Sequence, residues 1–161
     1  IQLREVEEKY SQQLKREEIT NYLAELKAKA FKWFLGQHDV LITADTIVWH
    51  KNRALEKPLD RSQAIDMLKE LSGNNHEVIT SVCIKTSTTQ KIIFDTTKVY
   101  FKKLSEDEIN FYVDKYKPFD KAGAYGIQEW IGFIGIPKIE GSYFNVMGLP
   151  VHKLYEELLK M

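Results

Sequence analysis

VLITADTIVW, residues 40–49, is β-branched and apolar on both of its faces, the pattern of a strand covered from two sides. Everything else is placed relative to it. Upstream, residues 17–35 have a helical period, with Ile19, Tyr22, Leu23, Leu26, Ala30, Trp33 and Phe34 on one face and Gly36 as the expected C-cap. Residues 1–16 are polar and irregular apart from Val6 and Leu14. Downstream, a loop runs through Pro58. Asp60-x-x-Gln63 then opens a helix that ends at Leu71-Ser72-Gly73. Residues 76–84 and 91–101 read as two strands joined by a Thr/Ser-rich turn at 86–90. Ser105-x-x-Glu108 opens a helix to about Tyr116, a Gly- and aromatic-rich stretch fills 118–150, and a closing helix runs to Met161. Helices interleaved with strands predict an α/β fold.

Composition narrows the function classes. The chain has 161 residues, of which 43% are hydrophobic, 12% aromatic and 29% charged, within the globular range and away from disorder, collagen or coiled coil. One domain's worth of core is expected over residues 1–161. No apolar run approaches the ~20 residues of a membrane span, so no membrane partner is expected. Balanced charge, 23 basic against 23 acidic residues, argues against a dedicated nucleic-acid binder. The single cysteine, Cys83, excludes an internal disulfide and suits a reducing cytoplasm. The first residue is Ile1 and no signal-peptide pattern follows, which leads to the expectation of a missing upstream piece.

Asp45 interrupts the strand among Ile42, Ala44, Ile47 and Val48, where a carboxylate costs several kcal/mol unless it is paired, hydrogen-bonded or metal-bound. It reads either as a strand-end aspartate bonded to Thr46 or a turn amide, or as a general base or metal ligand. Lys57 precedes Pro58, which extends the backbone and could aim the ammonium at an anion; a solvated loop lysine is the alternative. Lys27 borders the apolar helix face, either snorkelling to water or entering a cleft, while Lys32 points the opposite way. In Asp120-Lys121-Ala122-Gly123-Ala124-Tyr125-Gly126-Ile127-Gln128, small residues let backbone amides approach a ligand, and Asp, Lys and Gln supply a cation ligand, a charge and an amide; a tight turn explains the glycines as well. Residues 141–143 and 145–150 read as a structural approach to the last helix. The four histidines lack short metal-ligand spacing, and no phosphate loop, dinucleotide fingerprint or nucleophile elbow is present. These residues suit a polyanion with a divalent cation, without selecting one reaction.

In this order the pieces resemble one family. Ala44-Asp45-Thr46-Ile47-Val48, Lys57-Pro58 with Asp60, Ala64 and Met67-Leu68 before Leu71-Ser72-Gly73, His76, Thr80, Pro118, the 120–128 segment, Gly141-Ser142-Tyr143 and residues 145–150 are similar to the Maf (septum formation inhibitor-like) nucleotide pyrophosphatases. The resemblance implies hydrolysis of nucleoside triphosphates to monophosphate and pyrophosphate with Mg²⁺ or Mn²⁺, on an α/β fold with a central mixed sheet and a deep cleft between two lobes. It makes Asp45 the catalytic base, puts Thr46 and Gln128 near the nucleobase, and sets Lys27, Lys57 and Lys121 on phosphates. Glu8 and Asp45 would hold metal, and Asp120 would support metal or its own loop. Ala124-Tyr125-Gly126-Ile127-Gln128 resembles the dTTP/UTP branch. Two departures stand out. The family's opening strand and Ser-x-Ser-Pro-Arg-Arg loop, about thirty residues by typical element lengths, are absent from this sequence, so activity of the 161 residues alone is in question. Ser81 also stands where the family usually has Gly. A homodimer is common among such proteins. The competing reading is a nucleotide-binding regulator of septum formation with incidental turnover.

Overall fold

The computed structural model describes residues 6–31 and 35–161. Five strands form one sheet in the order β2-β1-β3-β4-β5: β1 (Leu41–His50), β2 (Arg53–Leu55), β3 (Asn75–Lys85), β4 (Gln90–Tyr100) and β5 (Lys138–Glu140). Helices α1 (Glu17–Ala30), α2 (Arg61–Leu71), α3 (Glu106–Tyr116), α4 (Trp130–Gly135), α5 (Tyr143–Val146) and α6 (Val151–Leu158) flank it, as expected of an α/β chain. All four described pairings are antiparallel, where the resemblance implied a mixed sheet. Short turns explain two of these pairings: two-residue and four-residue connections join β1 to β2 and β3 to β4, and only antiparallel neighbours can be joined so tightly.

β3 is buried along nearly its whole length because both faces are covered, and the side chains alternate accordingly. On one face, Ile47 and Ile79 pack against Ile19 and Leu23 of α1, with Cys83 against Ala24 and Ala28. On the other face, Val48, Val78 and Val99 join Leu68, Leu71, Ile109, Tyr112 and Tyr125 in the largest cluster. Each fully buried side chain of this kind contributes about 1.5–3 kcal/mol.

Several boundaries differ from the sequence reading. The first helix stops at Ala30, where Phe31 turns extended, so it does not reach residue 35; residues 32–34, including Lys32, Trp33 and Phe34, lie outside the described residues. Its buried stripe is also rotated. Tyr22 is exposed, whereas Ala24 and Ala28 are fully buried, because two small side chains let the helix lie close on the sheet. Gly36 is not the cap of α1, which Phe31 provides; its amide donates to Asp39 Oδ2 at 2.8 Å in a turn. Asp60 caps α2 as expected, accepting from the Gln63 amide at 2.8 Å, but Gln63 returns its side chain to the Leu59 amide at 2.6 Å. The Ser105–Glu108 box closes in both directions. The loop before Pro58 contains β2, entered through Lys51 and Asn52 at φ 47° and 62°. The closing helix ends at Leu158. Among the described residues no helix is long and apolar enough to cross a membrane.

One feature of the sheet positions the site. β2 pairs only with Val48–His50, so among the described residues the 41–47 part of β1 has no strand on that side. Asp45 and Thr46, on the two faces of β1, lie in that part of the strand.

Candidate active site

Asp45 and Thr46 are consecutive on β1 and therefore point to opposite faces, yet both line one cavity of about 270 Å³ at that edge. One end of the cavity is charged, with Lys27, Asp45, Lys57, Asp120 and Lys121. The rest is neutral, walled by Val48, Val78, Tyr125, Val146, Met147 and Gly148, with Thr46 and Gln128 as polar groups. A smaller chamber of about 150 Å³ shares Asp45, Thr46, Lys57 and Ala122, and adds Glu8, Tyr10 and Glu56.

Lys27 organises the charged end. α1 lays it against β1, where its ammonium lies 2.5 Å from Asp45 Oδ1 and 2.9 Å from Glu8 Oε1. Glu8 also accepts from Lys57 at 2.9 Å. Asp45 is 7% exposed, and burial pushes its carboxyl above the usual aspartate range, with the Lys27 charge only partly offsetting that. Burial also acts on Glu8, but hydrogen bonds from Lys27 and Lys57 outweigh it and hold that carboxyl low. Lys27 is itself desolvated, yet Asp45 and Glu8 raise its pKa. Two carboxylates of unequal proton affinity thus share one cation, and the better proton acceptor is the buried one.

Lys121 and Asp120 sit on the 118–128 segment and pair with each other at 2.8 Å, with Lys121 also 3.2 Å from Glu129. The Lys121 hydrogen bond lowers the Asp120 carboxyl, and Lys121 stays charged because Asp120 and Glu129 outweigh its own burial. This segment is held from three sides. Gly123 donates to the Glu56 carbonyl at 3.2 Å, Tyr125 meets His76 Nε2 at 2.7 Å, and Gly126 donates to the Tyr112 hydroxyl at 3.0 Å. Tyr112 in turn donates to Glu129. Gly123 has φ +68°, and an added Cβ would lie 2.8 Å from Val48, so no larger residue fits there without displacement. His76, 2% exposed, has its pKa pushed down to about 3 by burial and is a neutral strut.

The neutral end rests on a hydrogen-bond chain. Thr46 and Thr80 are register partners on β1 and β3, with their hydroxyls 2.9 Å apart. Thr80 donates to the Asn145 carbonyl at 2.9 Å. The Asn145 side-chain amide donates to the Val78 carbonyl and to Thr97 Oγ1, both at 3.0 Å.

Most residues singled out in the sequence converge here: Lys27, Asp45, Thr46, Lys57, Asp120, Lys121 and Gln128 line the larger cavity, and Glu8 meets Asp45 across Lys27. Among the described residues no cluster of three or more His, Cys, Asp or Glu is arranged to hold a metal ion, and Asp120 pairs with Lys121 instead of joining Glu8 and Asp45. Sequence reasoning missed Tyr112, Glu129 and the buried partnership of Thr80 with Asn145. The available signal was a polar Asn in the 145–150 turn, a stretch quoted for the family resemblance but given no role beyond an approach to the last helix.

A family model described as Maf-like protein matches residues 1–161. The chain is 57% identical over 158 residues to a protein of Flavobacterium johnsoniae named dTTP/UTP pyrophosphatase, covering 98% of this chain and 81% of that one. It is 54% identical over 161 residues to a Christiangramia forsetii protein of the same name, covering 100% and 82%. A Bacteroides fragilis protein, again so named, is 54% identical over 159 residues, covering 99% and 82%. With more than half of its residues shared with each of these proteins along nearly its whole length, the chain belongs to the Maf-like protein family.

Proposed function

We propose that the protein hydrolyses dTTP and UTP to the nucleoside monophosphate and pyrophosphate, with Asp45 as the general base. The observation that carries this reading is the buried Asp45 carboxylate, raised in proton affinity yet held at the edge of a cavity whose charged end presents Lys27, Lys57 and Lys121. The names borne by relatives at 54–57% identity favour the same reaction and the same bases.

A triphosphate lies with its anionic tail against the three ammoniums and its base toward the neutral walls. Asp45 takes a proton from water as the water oxygen attacks the α-phosphorus, and pyrophosphate leaves while the lysines balance its charge. Before substrate arrives, each lysine is neutralised by carboxylates, so binding exchanges internal ion pairs for phosphate contacts.

A divalent cation, Mg²⁺ or Mn²⁺, fits the donor set. Glu8 and Asp45 offer hard oxygen ligands whose meeting point is held here by the Lys27 ammonium, so an ion bound by them would take that ammonium's place. Such an ion needs only one or two carboxylates beside water and phosphate oxygens. Asp120, held by Lys121, supports its own loop instead. When bound, the cation supplies charge neutralisation to the triphosphate.

Pyrophosphate release from a panel of nucleoside triphosphates by the full-length protein, with Mg²⁺, with Mn²⁺ and with EDTA, tests the proposal. Metal-dependent release favouring dTTP and UTP is expected. Release from 7-methyl-GTP instead overturns the base preference, and release from none overturns the enzymatic reading in favour of a nucleotide-binding regulator.

A further inference from the structure

The neutral end of the cavity contains a proton whose direction is determined by its surroundings. Thr80 is completely buried, and its Oγ1 lies 2.9 Å from the Asn145 carbonyl oxygen. A carbonyl has no proton to give, and two oxygens at that distance without a shared proton repel, so Thr80 donates its one hydroxyl hydrogen there. The carbonyl has a second lone pair, which the Gly148 amide occupies at 3.0 Å. With its proton committed, Thr80 can only accept at its other short contact, the 2.9 Å one with Thr46. Thr46 must therefore be the donor of that bond, and it has only one hydrogen to give.

The rest of the network leaves no freedom to reverse this. The Asn145 amide cannot be flipped, because its nitrogen faces the Val78 carbonyl at 3.0 Å, which requires a donor. Thr97 is tied in the same sense. It donates to the Ser142 carbonyl at 3.1 Å and accepts from the Ser142 amide and the Asn145 side chain, each at 3.0 Å. Gly148, at φ +104°, would place a Cβ 3.4 Å from Thr46 Oγ1, so its missing side chain keeps that oxygen accessible from the cavity wall.

We propose that Thr80 is a positioning residue that makes Thr46 a pure acceptor toward the cavity, so the site selects a base that offers an imide N–H. Uracil and thymine present that donor at N3, whereas cytosine presents a lone pair there. The inference rests on the nucleotide reading above and adds to it the physical origin of the choice between bases.

The decisive measurement is the dissociation constant for UTP and for CTP, by calorimetry in EDTA on the full-length protein, in wild type, Thr80→Val and Thr80→Ser. Binding without turnover keeps this test separate from the pyrophosphatase reading: absent hydrolysis sinks that reading, while the UTP-to-CTP ratio still decides this one. In Thr80→Val the Thr46 hydroxyl is free to rotate and donate, so the preference for UTP falls about tenfold, the worth of one net hydrogen bond. Thr80→Ser keeps the preference. A purely structural Thr80 would weaken both nucleotides equally, and an unchanged ratio in folded Thr80→Val overturns the proposal. Should Thr80→Val fail to fold, wild type is titrated with N3-methyl-UTP, which lacks the imide hydrogen. Binding about tenfold weaker than UTP supports the assignment, and equal binding overturns it.

Discussion

At one end of the cavity, Lys27, Lys57 and Lys121 cancel their charges against Glu8, Asp45, Asp120 and Glu129; at the other, Thr46, Thr80, Thr97 and Asn145 pass hydrogen bonds to backbone carbonyls without any formal charge. The first is made of long side chains, several half-exposed, whose partners a ligand can replace. The second is buried and directional, and each proton has one place to go. Charge attracts and neutralises a polyanion whatever its base, and oriented hydrogen bonds discriminate between bases while adding little to overall attraction. The two ends therefore divide affinity and chemistry from selectivity.

The sharpest way to break that division is at Asp45. Asp45→Asn is expected to lower kcat by about 10²–10⁴-fold while leaving nucleotide affinity and the UTP-to-CTP ratio largely intact, as steady-state kinetics and calorimetry would read. Full activity sinks the base assignment. Stability should move the other way. Burial raises the folded-state pKa of Asp45, so its contribution is fully present below the unfolded value and is lost as pH rises through the folded one. At pH 7 the uncharged variant therefore melts higher than wild type, and the gain disappears in acid.

Lys27→Met is expected to cost about 3 kcal/mol by urea denaturation, because two carboxylates then face each other across an apolar contact. Most of that returns in the double variant with Asp45→Asn. A loss that persists in the double variant would mean that packing, not charge, is what Lys27 supplies.

A smaller effect sharpens the description of the uncharged side. His76, with its pKa pushed down to about 3, favours its neutral form when folded. Its contribution is complete above the unfolded value near 6.5 and drains as pH falls toward 3, at about 1.4 kcal/mol per pH unit. His76→Gln should flatten the pH dependence of stability across that window, and an unchanged slope would show that other groups carry it. The smallest effect concerns salt. Raising ionic strength from about 0.1 M to 1 M shortens the screening length from about 10 to 3 Å, so affinity for every triphosphate falls together. The UTP-to-CTP ratio should stay constant, and a ratio that moves with salt would mean charge also reads the base.

The charged end was legible because a charge in the wrong place is visible in one dimension. Asp45 stands in an apolar strand, Lys27 beside an apolar stripe and Lys57 before a proline, and each anomaly needs only its near neighbours to be noticed. Helix ends were less legible. The rotation of α1 onto Ala24 and Ala28 depends on how closely a sheet surface lets a helix approach, so the periodicity alone favoured Tyr22. The pairing of Asp120 with Lys121 was not legible either, since whether a neighbouring lysine takes up its charge is a matter of rotamer and loop shape. At the neutral end, Thr46 and Gln128 were placed only by the family resemblance, and the hydrogen-bond chain behind Thr46 was not legible. Thr46, Thr80 and Asn145 are ordinary residues in sequence, and their meaning lies in a donor whose acceptor is a carbonyl 65 residues away.

The sequence by itself determined the α/β pattern and the strand that carries the acid, because hydrophobic period and misplaced charge are local properties of the chain; that Lys27 and Lys57 gather around that acid was implied only by the family resemblance. Only the tertiary structure decided that Asp45 and Thr46, on opposite faces of β1, line one cavity, that Glu8 and Asp45 share one ammonium, and which way the Thr46 hydroxyl points. Those outcomes depend on distances between groups far apart in the chain, and hydrogen bonding and charge pairing act only once folding has brought them within a few ångströms.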